Sequence, residues 1–249
     1  MPLVTTEATI LQAFPYSETS KILRLLTPAH GVQSVIAKGA RRPKSRFGGI
    51  LEPFTDGIAS FYYRESRDLH NLSEFELGRP RQPLGRDLIR FGGASLLAEI
   101  VLRTASEQAA PEVFRHVRAS LTALEAAPPG AVEPVALARA WSLIAILGFG
   151  PALDRCVGCG AHLEAGADFF FDYTAGGMHC GRCGGPAGVG RVLPAAARSD
   201  VLMFLAGDAA PMDRTAAHWQ LLARFLAYHL VDVASLRSLD FLAAAVEPG

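Results

Sequence analysis

The stretch Ser20–Lys38, SKILRLLTPAHGVQSVIAK, contains two short apolar runs on either side of a turn. The first run extends from Ser20 to Thr27, the second from Val32 to Lys38, and the turn between them is Pro28-Ala29-His30-Gly31. Proline and glycine are among the residues that most often mark turns between short strands. The stretch therefore predicts a pair of neighbouring β-strands.

Three further strands are predicted around this pair. Val4 to Phe14 precedes it, and Thr55 to Tyr63 and Leu69 to Leu77 follow it. Five short strands in about 80 residues fit a small closed or partly open barrel, of which the oligonucleotide/oligosaccharide-binding fold (OB-fold) is a five-stranded example. The first 80 residues are therefore predicted to form an N-terminal OB-fold barrel.

Helical spacing of apolar residues replaces the strand pattern after Pro80. The predicted helices start at about 87, 111 and 134 in one group, and extend over 194–205, 214–233 and 235–246 in a second group. Since neither group is long enough to bury its apolar stripe alone, we expect both to pack as one bundle. The fold class is α+β and multidomain: a barrel over 1–80, a helical domain over 81–150 and 191–249, and a cysteine module over 151–190 inserted into it.

The composition excludes several classes of protein. Of the 249 residues, 50% are apolar and 19% are charged, which makes wholesale disorder improbable. No run approaches the ~20 apolar residues that cross a bilayer, and MPLVTTEATI lacks the basic start of a secretory signal. We expect a soluble cytoplasmic protein with no membrane partner.

All four cysteines of the chain belong to two Cys-x-x-Cys pairs, Cys156/Cys159 and Cys180/Cys183. Two such pairs about 15–20 residues apart are typical of a zinc site, and four thiolates complete a tetrahedral one. A closed site of this kind leaves no position for water, so we expect one structural Zn²⁺ in a zinc-ribbon-like module. The alternative is free thiols or a redox pair, and neither His162 nor His179 is expected to be a ligand.

The strongest indication of function is a local excess of positive charge. Residues 21–46 contain no Asp or Glu, although the whole chain has 24 basic and 24 acidic residues. Phosphates of a polyanion bind such a surface because neutralising them releases counterions. The candidate nucleic-acid-binding residues are Lys21, Arg24, Lys38, Arg41, Arg42, Lys44 and Arg46.

Most of these basic residues lie between the third and fourth predicted strands. A solvated loop without a ligand is the alternative interpretation of such a run. Binding is favoured because no carboxylate interrupts the run, and because Gly39 and Gly48-Gly49 let a ligand approach the backbone closely. Tyr16 and Phe47, in predicted loops, are the candidate aromatic platforms for unpaired bases.

No motif for nucleotide hydrolysis, serine or zinc hydrolases, or a two-magnesium carboxylate site occurs in the sequence. The histidines are scattered, and His218 and His229 lie on an apolar predicted helix, where a structural role is expected. We therefore expect no nucleotide hydrolysis.

Several segments, in order along the chain, resemble the bacterial RecO family of recombination mediators. They are Tyr16-Ser17-Glu18-Thr19-Ser20, Ala37-Lys38-Gly39-Ala40-Arg41-Arg42-Pro43-Lys44-Ser45-Arg46-Phe47-Gly48, Leu51-Glu52-Pro53-Phe54 and the cysteine quartet after a helical segment. The resemblance implies an OB-fold, a helical domain and a zinc module. It also implies that the protein is not an enzyme, and that it binds single- and double-stranded DNA and anneals complementary strands in DNA repair and recombination.

The resemblance further implies partners. With RecR, the protein would help to load RecA on DNA covered by single-strand-binding protein (SSB), at the nucleoid. By the same resemblance, Lys38, Arg41, Arg42, Lys44 and Arg46 would contact phosphates, and the contact with SSB would lie in the helical domain. Two other functions stay open: an RNA- or ribosome-associated binding protein, and a nucleic-acid-processing enzyme with a zinc ribbon.

Overall fold

A computed structural model describes residues 2–104, 108–185, 189–212, 215–230 and 236–245 of the chain. Contacts between Cα atoms divide the chain into two compact units, Met1–Ala126 and Ala127–Gly249. The first unit thus contains the first two helices together with the barrel. The single helical domain predicted for 81–150 and 191–249 stays a prediction.

Five strands form a closed barrel in the first unit, in the order β1-β2-β3-β5-β4. Neighbouring strands are antiparallel except β3 and β5, which are parallel. The predicted five-stranded barrel is confirmed, and each predicted strand has its observed counterpart. The strands are β1 (Leu3–Pro15), β2 (Lys21–Thr27), β3 (Gly31–Ala37), β4 (Asp56–Tyr62) and β5 (His70–Arg79).

The barrel interior is filled by alternate side chains of its strands, as period-two patterning requires. Leu23, Leu25 and Val35, from the hairpin of β2 and β3, are fully buried there beside Phe61 of β4. Phe47, from the loop between β3 and β4, belongs to the same core. The Phe47 side chain therefore attaches the loop between β3 and β4 to the barrel core.

A buried ionic network connects the barrel with helix α2 (Pro111–Ala126), which follows helix α1 (Leu88–Thr104) in sequence. The Nη2 of Arg81 donates to Asp56 Oδ2 at 2.6 Å, and its Nη1 donates to Glu125 Oε2 at 2.8 Å. Thr9 Oγ1 donates to the other Asp56 oxygen at 2.6 Å. Because this network joins β1, β4 and α2, it helps to hold the barrel and α2 in one unit.

The second unit combines helices with a second, four-stranded sheet in the order β6-β8-β7-β9. Within the described residues, its helices are α3 (Val132–Ile146), α4 (Ala195–Leu205), α5 (Thr215–His229) and α6 (Arg237–Ala245), and its strands are β6 (Ala152–Cys156), β7 (Phe169–Asp172), β8 (Gly177–His179) and β9 (Gly190–Leu193). The predicted helix ends at Arg214, Val233, Ser235 and Val246 lie outside the described residues. Among the helices that are described, none has the length and apolarity to cross a membrane.

Candidate nucleic-acid interface and metal site

The segment Lys38–Gly49, called the basic loop below, is a succession of tight turns. Backbone N–H groups of Arg42, Ser45 and Gly48 donate to carbonyls three residues earlier, at 3.1, 3.0 and 3.1 Å. These bonds satisfy backbone groups that a strand or helix would otherwise have to pair. The loop is thus a defined platform, and its basic side chains have fixed points of attachment.

Phe47 anchors this platform. Its side chain is only 2% exposed and packs in the barrel core, and the guanidinium carbon of Arg46 lies 4.9 Å from its ring centroid. The expectation that Phe47 stacks on bases is therefore wrong, because a ring in the core cannot reach a ligand. Its position in a predicted loop carried no information on which way the ring points.

Five of the seven candidate DNA-binding residues are exposed: Lys38, Arg41, Arg42, Lys44 and Arg46. The other two lie on β2 and are only partly exposed. Lys21 Nζ is 2.9 Å from Glu52 Oε1 and donates to the Leu51 carbonyl at 3.2 Å. Arg24 faces Ser34 of β3 in register, and its Nε is buried. Among these seven candidates, the exposed positive charge thus lies in the basic loop.

The connection between β1 and β2 lies against the basic loop. Arg41 donates from its backbone N–H to the Thr19 carbonyl at 3.0 Å and from Nη1 to the Ser17 carbonyl at 2.7 Å. Tyr16, on the same connection, is 61% exposed. The structure therefore brings a solvent-facing aromatic ring to the edge of the basic surface, as a base-stacking role for Tyr16 requires.

The four cysteines converge in the second unit. Their Sγ atoms all lie within 4.8 Å of one another, and none is in a disulfide. Cys159 and Cys180 have a separation of 3.7 Å between Sγ atoms, close to the about 3.8 Å of a tetrahedral site with 2.3 Å zinc–sulfur bonds. The cluster can therefore hold one metal ion, and the donor set suits zinc.

Local backbone geometry builds both halves of this cluster. The glycine after each second cysteine, Gly160 and Gly184, has a positive φ of 73° and 61°. In this conformation the chain reverses, and the N–H groups of Gly160 and Gly184 donate to the carbonyls of Cys156 and Cys180 at 2.8 and 3.1 Å. Each Cys-x-x-Cys pair thus turns both thiols to one side.

The thiols differ in their readiness to ionise. The Cys180 backbone N–H donates to Cys156 Sγ at 3.2 Å, and such bonds lower the pKa of Cys156 to about 5. Hydrogen bonding with Cys159 and with Cys180 raises the pKa of Cys183 to about 12. Four adjacent thiolates repel one another, so full ionisation of the cluster requires a bound cation.

Neither histidine near the cluster belongs to its ligand set within the described residues. His179 instead lies 3.3 Å, through Nε2, from Asp172 Oδ2. Burial raises the pKa of Asp172. Hydrogen bonds from the amides of Ala175 and Thr174 and from His179 lower the pKa by more than burial raises it, so the net shift is downward. Asp172 thus shapes the hairpin between β7 and β8, with Gly176 at its turn.

Two side chains, Arg198 and His229, hold the cysteine module to the helices, and sequence analysis did not identify the first of them. Arg198 of α4 is 6% exposed and donates to the carbonyls of Leu153, Glu164 and Leu163 at 2.9, 2.7 and 3.1 Å. His229 of α5 has Nε2 2.8 Å from the Tyr173 carbonyl. The structural role expected of His229 agrees with this contact, whereas no local pattern distinguishes Arg198 from the exposed arginines of the chain.

Comparison with known proteins finds family models that match most of the chain. A family model described as Recombination protein O N terminal matches residues 1–81, and one described as Recombination protein O C terminal matches residues 85–239. These two segments correspond to the barrel and to most of the remaining chain.

Individual relatives also match most of the chain. The chain is 34% identical to the "DNA repair protein RecO" of Desulfatibacillum aliphaticivorans, over 92% of this chain and 93% of that one. It is 34% identical to the protein of that name from a Nocardioides species, over 90% and 93%. The value for Anaeromyxobacter dehalogenans is 40%, over 76% and 72%.

Proposed function

The chain belongs to the recombination protein O (RecO) family of DNA repair proteins, and we propose that it binds single- and double-stranded DNA and anneals complementary strands without enzymatic activity. The observation that carries this proposal is the basic loop. Five exposed cationic side chains stand on a platform of turns, with no acidic residue between Lys21 and Arg46. Two DNA strands repel each other, and a cationic surface that contacts both lowers this repulsion without ATP.

The contacts proposed for phosphates are Lys38, Arg41, Arg42, Lys44 and Arg46. Arg24 would add positive potential from β2, and Lys21 would add less because its charge is paired with Glu52. Phosphate contacts carry no sequence information, so binding should be strongly salt-dependent and weakly sequence-specific. Tyr16 supplies stacking, which accepts any base.

For the cysteine cluster we propose a single structural Zn²⁺ held by Cys156, Cys159, Cys180 and Cys183. The ion would hold the two Cys-x-x-Cys turns together and supply no chemistry, because four thiolates leave no open coordination position. The closeness of the four Sγ atoms supports this assignment.

Family membership supports a wider role in which the protein, with RecR, helps to load RecA on SSB-coated single-stranded DNA. We propose that this takes place in the cytoplasm at the nucleoid, and that SSB contacts the helical part of the chain. Protein contacts there would leave the basic loop available to DNA.

An annealing assay without ATP tests the DNA-binding proposal. We expect the variant Arg41→Ala/Arg42→Ala/Lys44→Ala to lose most annealing and single-strand binding while remaining folded. The matched control, Arg86→Ala/Arg103→Ala/Arg224→Ala, removes the same charge from three exposed positions outside the loop and should retain both activities. Unchanged annealing in the loop variant would exclude the loop from the mechanism, and preferential competition by RNA would point to an RNA-binding function.

A further inference from the structure

A cleft of about 410 Å³ opens where the basic loop ends. Gly48 and Gly49, the last residues of the loop, form part of its wall, and Ile50, Leu77 and Phe91 supply much of its apolar surface. All of these residues belong to the first unit. The volume lies within the about 300–1,000 Å³ of sites for small organic ligands.

Phe54, on another wall of the cleft, has an unusual backbone conformation. Its φ is +68°, the one positive value among described residues other than glycine, and such a conformation costs about 1–2 kcal/mol in an L-residue. Its N–H donates to the Ile10 carbonyl at 2.6 Å, which holds the strained backbone in place. Glycine would relieve the strain but would remove the ring from this wall.

The Phe54 ring supports the accessible aromatic of the cleft. Phe91 of α1 meets it edge to face at a centroid distance of 5.7 Å and is 45% exposed. An aromatic ring that is held from one side and still faces solvent is suited to contact a flat apolar ligand. The exposed Gln82 supplies a polar group beside this ring.

We propose that this cleft receives one unstacked nucleobase of a single strand whose phosphates lie on the basic loop. The inference rests on the proposed DNA binding and adds to it a contact with a base, besides the contacts with phosphates. A nucleobase is favoured over a protein side chain because the cleft wall is continuous in sequence with the basic loop: it begins at Gly48, two residues after Arg46. The acidic group in the wall, Glu52, is paired with Lys21 and repels phosphate less than a free carboxylate would.

The cleft also implies a preference between DNA forms. Bases in a duplex are paired and stacked, and extracting one costs a few kcal/mol, so the contact is available mainly to single strands. One base–aromatic contact contributes about 1–3 kcal/mol, which corresponds to about 5- to 100-fold in affinity.

Two variants test the cleft. Phe91→Ala removes the accessible ring, whereas Gly85→Leu adds a side chain to the wall at a position where a Cβ meets no atom within 4 Å. The control is Leu88→Ala, which removes a 72% exposed side chain from the same helix, outside the cleft. The probes are an oligothymidylate and an abasic oligonucleotide of the same length.

We expect both cleft variants to bind oligothymidylate at least about fivefold more weakly than the unmodified protein does, and to bind the abasic probe equally well. Leu88→Ala should bind both probes normally. Equal weakening for both probes, or no weakening, would overturn the nucleobase site while leaving phosphate binding by the loop intact. If the unmodified protein bound neither probe at low salt, the proposed DNA binding would itself fail, and the cleft inference with it.

Discussion

The basic loop and the cysteine module are both built from tight turns, yet they direct their functional groups oppositely. In the basic loop, five cationic side chains face solvent, and the anchor, Phe47, points inward. In the cysteine module, the four thiols point at one another. The loop is therefore able to contact a partner outside the protein, whereas the module can hold one metal ion within it.

This contrast predicts its largest effect for a change in the thiol cluster. Cys156→Ser removes a ligand and should abolish metal binding and unfold the cysteine module, because structural zinc contributes about 10 kcal/mol or more in small metal-dependent domains. Metal content per chain and limited proteolysis measure the effect. His162→Ala, which changes a residue outside the cluster, should retain the metal. A Cys156→Ser protein that keeps both metal and protease resistance would contradict the four-thiolate site.

Buried charges of the first unit should contribute more to the free energy of unfolding than its exposed charges do. Asp56→Asn removes one of the two carboxylate partners of the buried Arg81, leaving only Glu125, and should lower the free energy of unfolding by about 3–5 kcal/mol. Glu52→Gln, which weakens the solvent-exposed pair with Lys21, should change it by less than about 1 kcal/mol. Chemical denaturation compares the two variants, and equal losses would contradict a structural role for the buried network.

The outward charges of the loop should appear in the salt dependence of DNA binding instead. Five phosphate contacts on a single strand predict a slope of about −3.5 for log affinity against log salt, or about 100-fold weaker binding from 50 to 200 mM salt. The Arg41→Ala/Arg42→Ala/Lys44→Ala variant should reduce this slope by about 2 and leave the thermal midpoint unchanged. A slope that is the same in both proteins would mean that other residues neutralise the phosphates.

The smallest expected effect concerns pH and His218, whose Nε2 lies 3.1 Å from Asp200 Oδ2. Burial lowers the pKa of His218, although Asp200 opposes the shift. The unfolded chain then binds the proton more readily, so this residue makes the free energy of unfolding decrease as the pH falls below about 6.5. Thermal midpoints between pH 7.5 and 5.5 should decrease less in His218→Gln, and parallel curves would rule out this contribution.

Local patterns predicted the strands and the thiol site well. Turn residues and period-two alternation act over a few residues, so the five barrel strands were predicted within about two residues of their bounds. Cysteine spacing likewise identified all four members of the cluster. These features depend on residues that are close together in the sequence, so a local pattern is enough to predict them.

Features that join distant segments could not be predicted in this way. Arg81 bonds to Asp56 across 25 residues and to Glu125 across 44, and charged side chains are seldom buried. The inward direction of Phe47 and the pairing of Lys21 with Glu52 depend on the same long-range packing. Such contacts determine which charged side chains form ion pairs, and composition alone does not show this.

The three hydrogen bonds of Arg198 also have a consequence for the order of assembly during synthesis. Their acceptors, the carbonyls of Leu153, Leu163 and Glu164, precede Arg198 by 34 to 45 residues. All four cysteines therefore leave the ribosome before the arginine that fastens their module to α4. Metal capture can thus come first in the nascent chain, and docking of the module has to wait until α4 has emerged.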